Sequence, residues 1–255
     1  MVALEAGQKH YEPRGAALAL IRSNDLEVVA EGPANTGKSR AALEKMHILC
    51  ETNPGIRCLL LRKTRTELTE SAMVTFEQKV LPERHPLLAR NIERKNRHSY
   101  IYPNGSEIVC GGMDDPIKVY STEYDLAYWQ ECREGTEEEW EQLLVRVRNR
   151  RMPLQQVMGD TNPDAPLHWL LTRAKRGALR LLHSVHADNP AFGPTDQAVL
   201  DALTGIRRKR LRDGLWCPVE PVGLDLTRDR DLLAAEGFGI LMPHTRDHHR
   251  DRVHD

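Results

Sequence analysis

Eight consecutive residues, Gly32-Pro33-Ala34-Asn35-Thr36-Gly37-Lys38-Ser39, carry the strongest chemical signal in this sequence. The two glycines let main-chain N–H groups turn inward around phosphate oxygens. Lys38 has the reach to meet the β- and γ-phosphates of a nucleoside triphosphate, and the Ser39 hydroxyl suits Mg²⁺. The helix that follows would add the positive end of its dipole to the same place. Arg40 follows directly and completes the candidate phosphate-binding set.

Hydrolysis needs carboxylates as well as a cradle. One commonly shares the metal, and another orients or deprotonates the attacking water. Such acids are expected at the end of a strand beside the loop strand, where the sheet edge faces the phosphates. The run Leu126-Ala127-Tyr128-Trp129-Gln130-Glu131 has that form, an apolar strand ending on polar residues. Glu131 is the candidate catalytic base. Gln130 stands where an Asp is usual, so Ser39 and Gln130 are the metal-shell candidates. An amide brings no negative charge, and the metal would lean on Ser39, the phosphates and water. Thr161 and Asn162, in Asp160-Thr161-Asn162-Pro163, could hydrogen-bond the γ-phosphate or its water, although Asp, Asn and Pro are also turn residues. Arg146 and Arg148 project by 100° steps about a quarter-turn to either side of an apolar helix face. Either could stabilise transition-state charge as an arginine finger, or simply meet solvent.

The elements that must position these groups follow from periodicity. Residues 26–30 read as a short strand before the glycine loop, and 41–46 as the helix after it, with no breaker until Asn53-Pro54-Gly55. Residues 57–63 read as a buried strand and 67–81 as a helix. Residues 99–109 form a hairpin around Pro103-Asn104-Gly105. Strands are expected at 124–131, 155–159 and 179–185. A helix over 136–151 opens on a capping box, Thr136 with Glu139, and presents Trp140, Leu143, Leu144 and Val147. A late helix spans 195–212. Strands alternating with helices predict an α/β fold with a mostly parallel sheet.

Composition limits the alternatives. The chain has 255 residues, 40% hydrophobic and 29% charged, with a net charge of −1. That suits one α/β domain, or one with a small appendage. No run approaches the length of a membrane span, and residues 1–13 lack a signal-peptide core. Cysteines 50, 58, 110, 132 and 217 show no metal or redox spacing, which predicts reduced thiols in the cytoplasm. Nucleic-acid contact would need local basic patches, such as Arg90, Arg94, Lys95 and Arg97, or residues 207–212. Residues 244–255 read as a polar tail whose four histidines (His244, His248, His249, His254) belong to a solvated segment.

The order of these stretches resembles the ATPase half of the large terminase subunit of tailed bacteriophages, over roughly residues 10–216. Residues 32–39 resemble its Walker A loop. Residues 102–131, from YPNGSEIVCGG to LAYWQE, resemble its hairpin and Walker B strand. Residues 138–148 resemble the following helix with its R-x-R. GDTNPDAPLHWL, 159–170, resembles the coupling motif. Residues 186–216 resemble the lid, closing on Gly214-x-Trp216. The resemblance implies a P-loop NTPase of the ASCE type, with a core over 1–186, a helical lid over 187–216, and a tail over 217–255. It implies ATP and Mg²⁺ handled by Lys38, Ser39 and Glu131, coupling through Thr161 and Asn162, and a finger from Arg146 first or Arg148 second. The family's usual adenine-pocket glutamine has no counterpart in residues 11–16, where Tyr11 or Arg14 would cover the base instead. The implied job is translocation of double-stranded DNA into procapsids by a homo-oligomeric ring on the portal protein, with small terminase as partner and a monomer in isolation. Gly223-Leu224-Asp225 only faintly matches the start of the family's nuclease domain, so no nuclease activity is expected. A helicase-like or recombination ATPase, or a nucleotide-binding subunit without hydrolysis, is the alternative.

Overall fold

The computed structural model describes residues 10–83, 85–88 and 93–219. Its strands are β1 (Glu27–Glu31), β2 (Arg57–Arg62), β3 (Ser99–Ile101), β4 (Glu107–Gly112), β5 (Leu126–Gln130), β6 (Gln156–Thr161) and β7 (Arg180–His183). They make one sheet in the order β3-β4-β2-β5-β6-β1-β7. Only the β3–β4 pair is antiparallel, joined by the hairpin expected at Pro103-Asn104-Gly105. The helices are α1 (Gly15–Arg22), α2 (Lys38–Thr52), α3 (Arg65–Glu70), α4 (Ala72–Thr75), α5 (Pro116–Tyr120), α6 (Glu137–Arg146), α7 (Trp169–Lys175), α8 (Pro194–Asp201) and α9 (Gly205–Arg207). The described residues up to Pro218 form one compact unit. The tail histidines and the 223–225 stretch lie outside the described residues.

Strand residues alternate between two cores, as the two-residue side-chain period requires. Val28, Ala30, Leu60, Tyr128 and Met158 pack with Leu20 of α1, Met46 of α2 and Phe76. Val29, Leu59, Leu61, Trp129 and Val157 pack with Trp140 and Leu143 of α6 and Leu170 of α7. Trp129 and Trp140 stack with ring centroids 6.4 Å apart. Both strand faces are covered, so β1, β5 and β6 are buried along their whole length.

Two polar clusters fasten the strands that carry the chemistry. At the start of β1, buried Glu27 accepts from Arg173 Nε at 2.6 Å and Nη2 at 3.0 Å, and from Trp140 Nε1 at 2.8 Å. That ties β1 to α6 and α7. On the other face, Lys45 Nζ donates to the Leu20 carbonyl at 3.1 Å, the Ser23 carbonyl at 2.6 Å and Gln156 Oε1 at 2.6 Å. That ties α2 to α1 and β6.

Several elements differ from expectation for local reasons. The helix expected over 67–81 breaks at Ser71, whose backbone (φ −124°, ψ −84°) is not helical. α3 instead opens on a capping box at Thr64 and Glu67, and α4 runs on into a π-turn over Phe76–Val80. The helix expected over 136–151 keeps its capping box but stops at Arg146. Val147 leaves it to form a parallel bridge with Tyr124, and Arg150 takes φ 57°. Arg148 therefore lies beyond the helix, and the two-flank geometry expected of Arg146 and Arg148 does not form. The late helix breaks after Asp201 into α9, which starts on Gly205 at φ 54°, and a π-turn over Arg208–Arg212. β6 runs two residues past its expected end.

Burial lowers the pKa of the Lys45 ammonium to about 8. An unfolded lysine keeps its proton until about 10.4. Between those values the unfolded chain binds more protons, so this group's contribution to stability rises with pH. We expect Lys45→Met to cost roughly 1–3 kcal/mol at pH 7, because it takes the donor from the buried Gln156 amide oxygen and one donor each from the Leu20 and Ser23 carbonyls. The deficit should widen between pH 8 and 10, where the wild type gains and the variant does not. Urea denaturation across that range measures both.

Candidate nucleotide site

The glycine loop joins β1 to α2, the strand–loop–helix context that the residue pattern demands. Gly32 sits at φ 140°, Asn35 at φ 61° and Gly37 at φ 86°. A Cβ on Gly32 would lie 2.3 Å from the Ser184 carbonyl oxygen. Only a residue without a side chain lets the loop pass over the end of β7 there. Thr36 Oγ1 lies 2.7 Å from Ser184 Oγ and fixes the loop from the same side.

The loop mouth opens into a cavity of about 380 Å³. It is lined by loop residues 34–40 together with Thr75, Lys79, Glu131, Asp160, Asn162, Asn189 and Ala191. Lys38 is buried and donates to the Gly32 carbonyl at 3.0 Å, the Pro33 carbonyl at 2.5 Å and Asn162 Oδ1 at 3.2 Å. Burial lowers its pKa, and the charges of Asp160, Glu131 and Glu31 push it back up. Glu131 caps the end of β5 in a left-handed conformation, φ 52°. Its Oε2 is 3.4 Å from Arg133 Nε, and its Oε1 accepts from Asn162 Nδ2 at 3.4 Å. Burial foremost, then the neighbouring Asp160 charge, raises the Glu131 pKa above the ordinary carboxylate range. Asn162 thus bridges Lys38 and Glu131.

The topology corrects one premise. β5 is not beside the loop strand, because β6 lies between them. The strand between β5 and β1 is β6, and its Asp160 meets Ser39: Ser39 Oγ donates to Asp160 Oδ2. Asp160 is buried, and its Oδ1 also accepts from Tyr128 OH at 3.0 Å and from the Glu131 N–H at 3.2 Å. The sequence reading puts this residue just past a strand and names only its neighbours Thr161 and Asn162 as candidates. Its signal, a lone acid at the tip of an apolar strand, was present. Gln130 turns elsewhere: its Oε1 accepts from Ser71 Oγ at 2.7 Å, and it does not line the cavity.

The remaining candidates divide. Thr161 is buried and donates to the Asn162 carbonyl at 2.9 Å, so Asn162 alone of that pair lines the cavity. Gly32 and Pro33 are not among the residues that line the cavity. The Arg40 guanidinium stacks over the Tyr11 ring at 4.3 Å, which sets Tyr11 beside a cavity residue. Arg14 pairs with Glu12 and is exposed. Arg146 and Arg148 are far away. Tyr124, which precedes β5, donates its N–H to the Arg146 carbonyl, so both arginines sit at the edge opposite the loop, about 20 Å from Glu131. Arg148 also pairs with Glu123.

The expected lid residues touch the loop. The Ala34 N–H donates to the Leu211 carbonyl at 2.8 Å, and Asn189 Nδ2 donates to the Asn35 carbonyl at 2.7 Å. Trp216 Nε1 donates to Glu31 Oε2 at 3.0 Å. A Cβ on Gly214 would lie 2.7 Å from Pro33. The basic patches are largely neutralised within the chain. Arg94 pairs with Glu77, Lys95 with Glu93, Arg210 with Asp164 and Arg212 with Asp201, while Arg90 lies outside the described residues. No helix among the described residues is long and apolar enough to cross a membrane.

Comparison with known proteins agrees with this layout. A sequence model of the phage terminase large subunit matches residues 24–193. The large terminase of a thermophilic bacteriophage superposes with a TM-score of 0.62 at 13% identity, over 81% of this chain and 54% of that one. The same thermophilic-phage protein in complex with ATP-gamma-S gives 0.61 at 14% identity, over 81% and 53%. The large terminase ATPase domain of Thermus phage P74-26 gives 0.58 at 16% identity, over 81% and 94%. The chain spans about half the length of the first of these proteins. No curated protein matches it.

Gly32→Ala forces a methyl group against the Ser184 carbonyl at a φ that L-residues avoid. We expect it to cost roughly 1–3 kcal/mol. Thermal unfolding should show the midpoint falling by about 2–10 °C for a chain of this size.

Proposed function

Because the chain belongs to the phage terminase large-subunit family, we propose that it is the ATP-hydrolysing motor part of a DNA-packaging machine. On this reading it moves double-stranded viral DNA into procapsids. One observation carries the catalytic half of the proposal. Lys38 and Ser39 at the start of α2, Glu131 after β5 and Asn162 after β6 are remote in sequence, yet all face one cavity at the mouth of a glycine loop.

Each residue has a role that its geometry supports. Loop amides and Lys38 hold the β- and γ-phosphates of ATP. Lys38 exchanges its present loop carbonyls for phosphate oxygens, which relieves a buried ammonium of weak acceptors. Ser39, at the start of α2, suits Mg²⁺, and the oxygen donors here fit a hard cation. When bound, Mg²⁺ supplies charge neutralisation for the phosphates. Glu131 takes the proton from the attacking water, and its raised pKa makes it a stronger base than a solvated carboxylate. Asn162 spans Lys38 and Glu131, so it registers whether a γ-phosphate lies between them. Tyr11 and Arg40 form the platform on which adenine would stack.

Arg146 and Arg148 lie at the far sheet edge, so neither serves its own subunit's phosphates. Their proposed finger role is therefore in trans, across a ring of copies seated on the portal. Residues 187–216 act as the lid that converts phosphate-dependent loop movement into displacement of DNA. Small terminase would deliver that DNA.

Glu131→Gln is expected to bind ATP but lose hydrolysis by roughly 10²–10⁴-fold. Equilibrium binding and phosphate release in the assembled motor separate the two effects. Binding without Glu131-dependent turnover in the wild type would instead mark a regulatory nucleotide-binding subunit. Arg146→Ala should lose turnover by about 10³-fold or more when assembled. Mixing it with Glu131→Gln should partly restore activity, and wild-type rates in Arg146→Ala rings would remove that residue from the finger role.

A further inference from the structure

We propose that Asp160, one strand closer to the loop than Gln130, is the carboxylate that joins Ser39 in holding Mg²⁺, and that Gln130 is not part of the metal site. The inference deepens the nucleotide-binding reading and rests on it.

The sheet register carries the argument. Gln130 of β5, Asp160 of β6 and Ala30 of β1 are partners in one row across three parallel strands. In-register residues of adjacent parallel strands leave the sheet on the same face. Asp160 therefore stands in the row of the expected acid, displaced by one strand spacing toward the loop. Its reach is already realised, since Oδ2 accepts from the Ser39 hydroxyl. Its other oxygen is oriented by Tyr128 OH and the Glu131 N–H. Asp160 is almost wholly buried yet lines the cavity. A held, charged oxygen beside the Ser39 hydroxyl matches what a hard cation needs, a carboxylate supplemented by hydroxyl, phosphate and water.

Gln130 is committed to a different task. Ser71 Oγ lies 2.7 Å from Gln130 Oε1 and 2.6 Å from the Glu67 carbonyl, while Arg62 Nη1 donates to it at 3.0 Å. This network pins the kink between α3 and α4. An uncharged amide suffices there, whereas it would add no charge at a metal. The absence of an Asp at position 130 is thus no sign of degenerate chemistry. Glu131 stays outside the metal shell as well, held by Arg133 and Asn162.

The test measures metal binding on the full chain without relying on turnover. ATP-gamma-S affinity is titrated with Mn²⁺ and with EDTA, and bound Mn²⁺ is counted by electron paramagnetic resonance. Asp160→Asn should weaken nucleotide-dependent Mn²⁺ binding by at least about tenfold, with affinity in EDTA retained. Gln130→Ala should leave Mn²⁺ binding within about twofold of wild type. Unchanged Mn²⁺ binding in Asp160→Asn, or its loss in Gln130→Ala, overturns the assignment. A measurement on the native side chains covers the case in which Asp160→Asn does not fold. Wild-type protein labelled with carboxyl-¹³C aspartate should show a ¹³C coupling to bound Mn²⁺, since Asp160 is the single aspartate among the described residues that line the cavity. No coupling from bound Mn²⁺ overturns the assignment while leaving the nucleotide reading intact. A wild type that binds no nucleotide with or without metal sinks the nucleotide reading itself.

Discussion

One buried ammonium holds the site's electrostatics together. Lys38 is the cation toward which Asp160, Glu131 and Glu31 direct their negative charge. Burying a carboxylate is tolerable only with a compensating charge or donors. Glu31 is served by His183 and Trp216, Asp160 by Ser39 and Tyr128, and Glu131 by Arg133 and Asn162. Each acid therefore draws on a different structural element, and Lys38 is common to all three. The loop's conformation, the ends of three strands and the lid's attachment all depend on that balance.

The parallel sheet explains why these groups converge. β1, β5 and β6 all end at one edge, and their last residues deliver Glu31, Gln130, Glu131, Asp160 and Asn162 to it. The opposite edge carries different work. There Glu27 ties β1 to Arg173 and Trp140, and the end of α6 returns against Tyr124. The division assigns cradle and acids to one side of a subunit and the two arginines to the other. A head-to-tail neighbour would bring those sides together, as heterologous ring contacts require.

Much of this was legible in the residues. The glycine loop, the hairpin turn and the Thr136–Glu139 capping box are local patterns with local causes, and each forms as the sequence implies. Four of the parallel strands, β1, β2, β5 and β6, were visible as apolar runs, because a doubly covered strand has no polar face to conceal it. Strand order was not legible, since periodicity says nothing of neighbours. That is why the acid was sought on β5 while Asp160 of β6 went unselected. The break at Ser71 and the early end of α6 at Val147 were also hidden. Both are decided by tertiary partners, Gln130 and Tyr124, that no helical propensity reports. Tyr11 appeared as one of two adenine candidates, and only its stacking on Arg40 sets it beside the cavity while Arg14 turns to Glu12.

The hydrogen bond from the Ala34 N–H to the Leu211 carbonyl has a mechanical corollary. An amide given to a carbonyl cannot at once be given fully to an anion. If a triphosphate recruits that amide, the 208–212 turn must yield; if a pull on the turn draws it away, the amide is released to the triphosphate. By thermodynamic reciprocity the two effects are equal in size. Opposing force would then be felt as a change in nucleotide residence time, and the loop itself would serve as the load sensor.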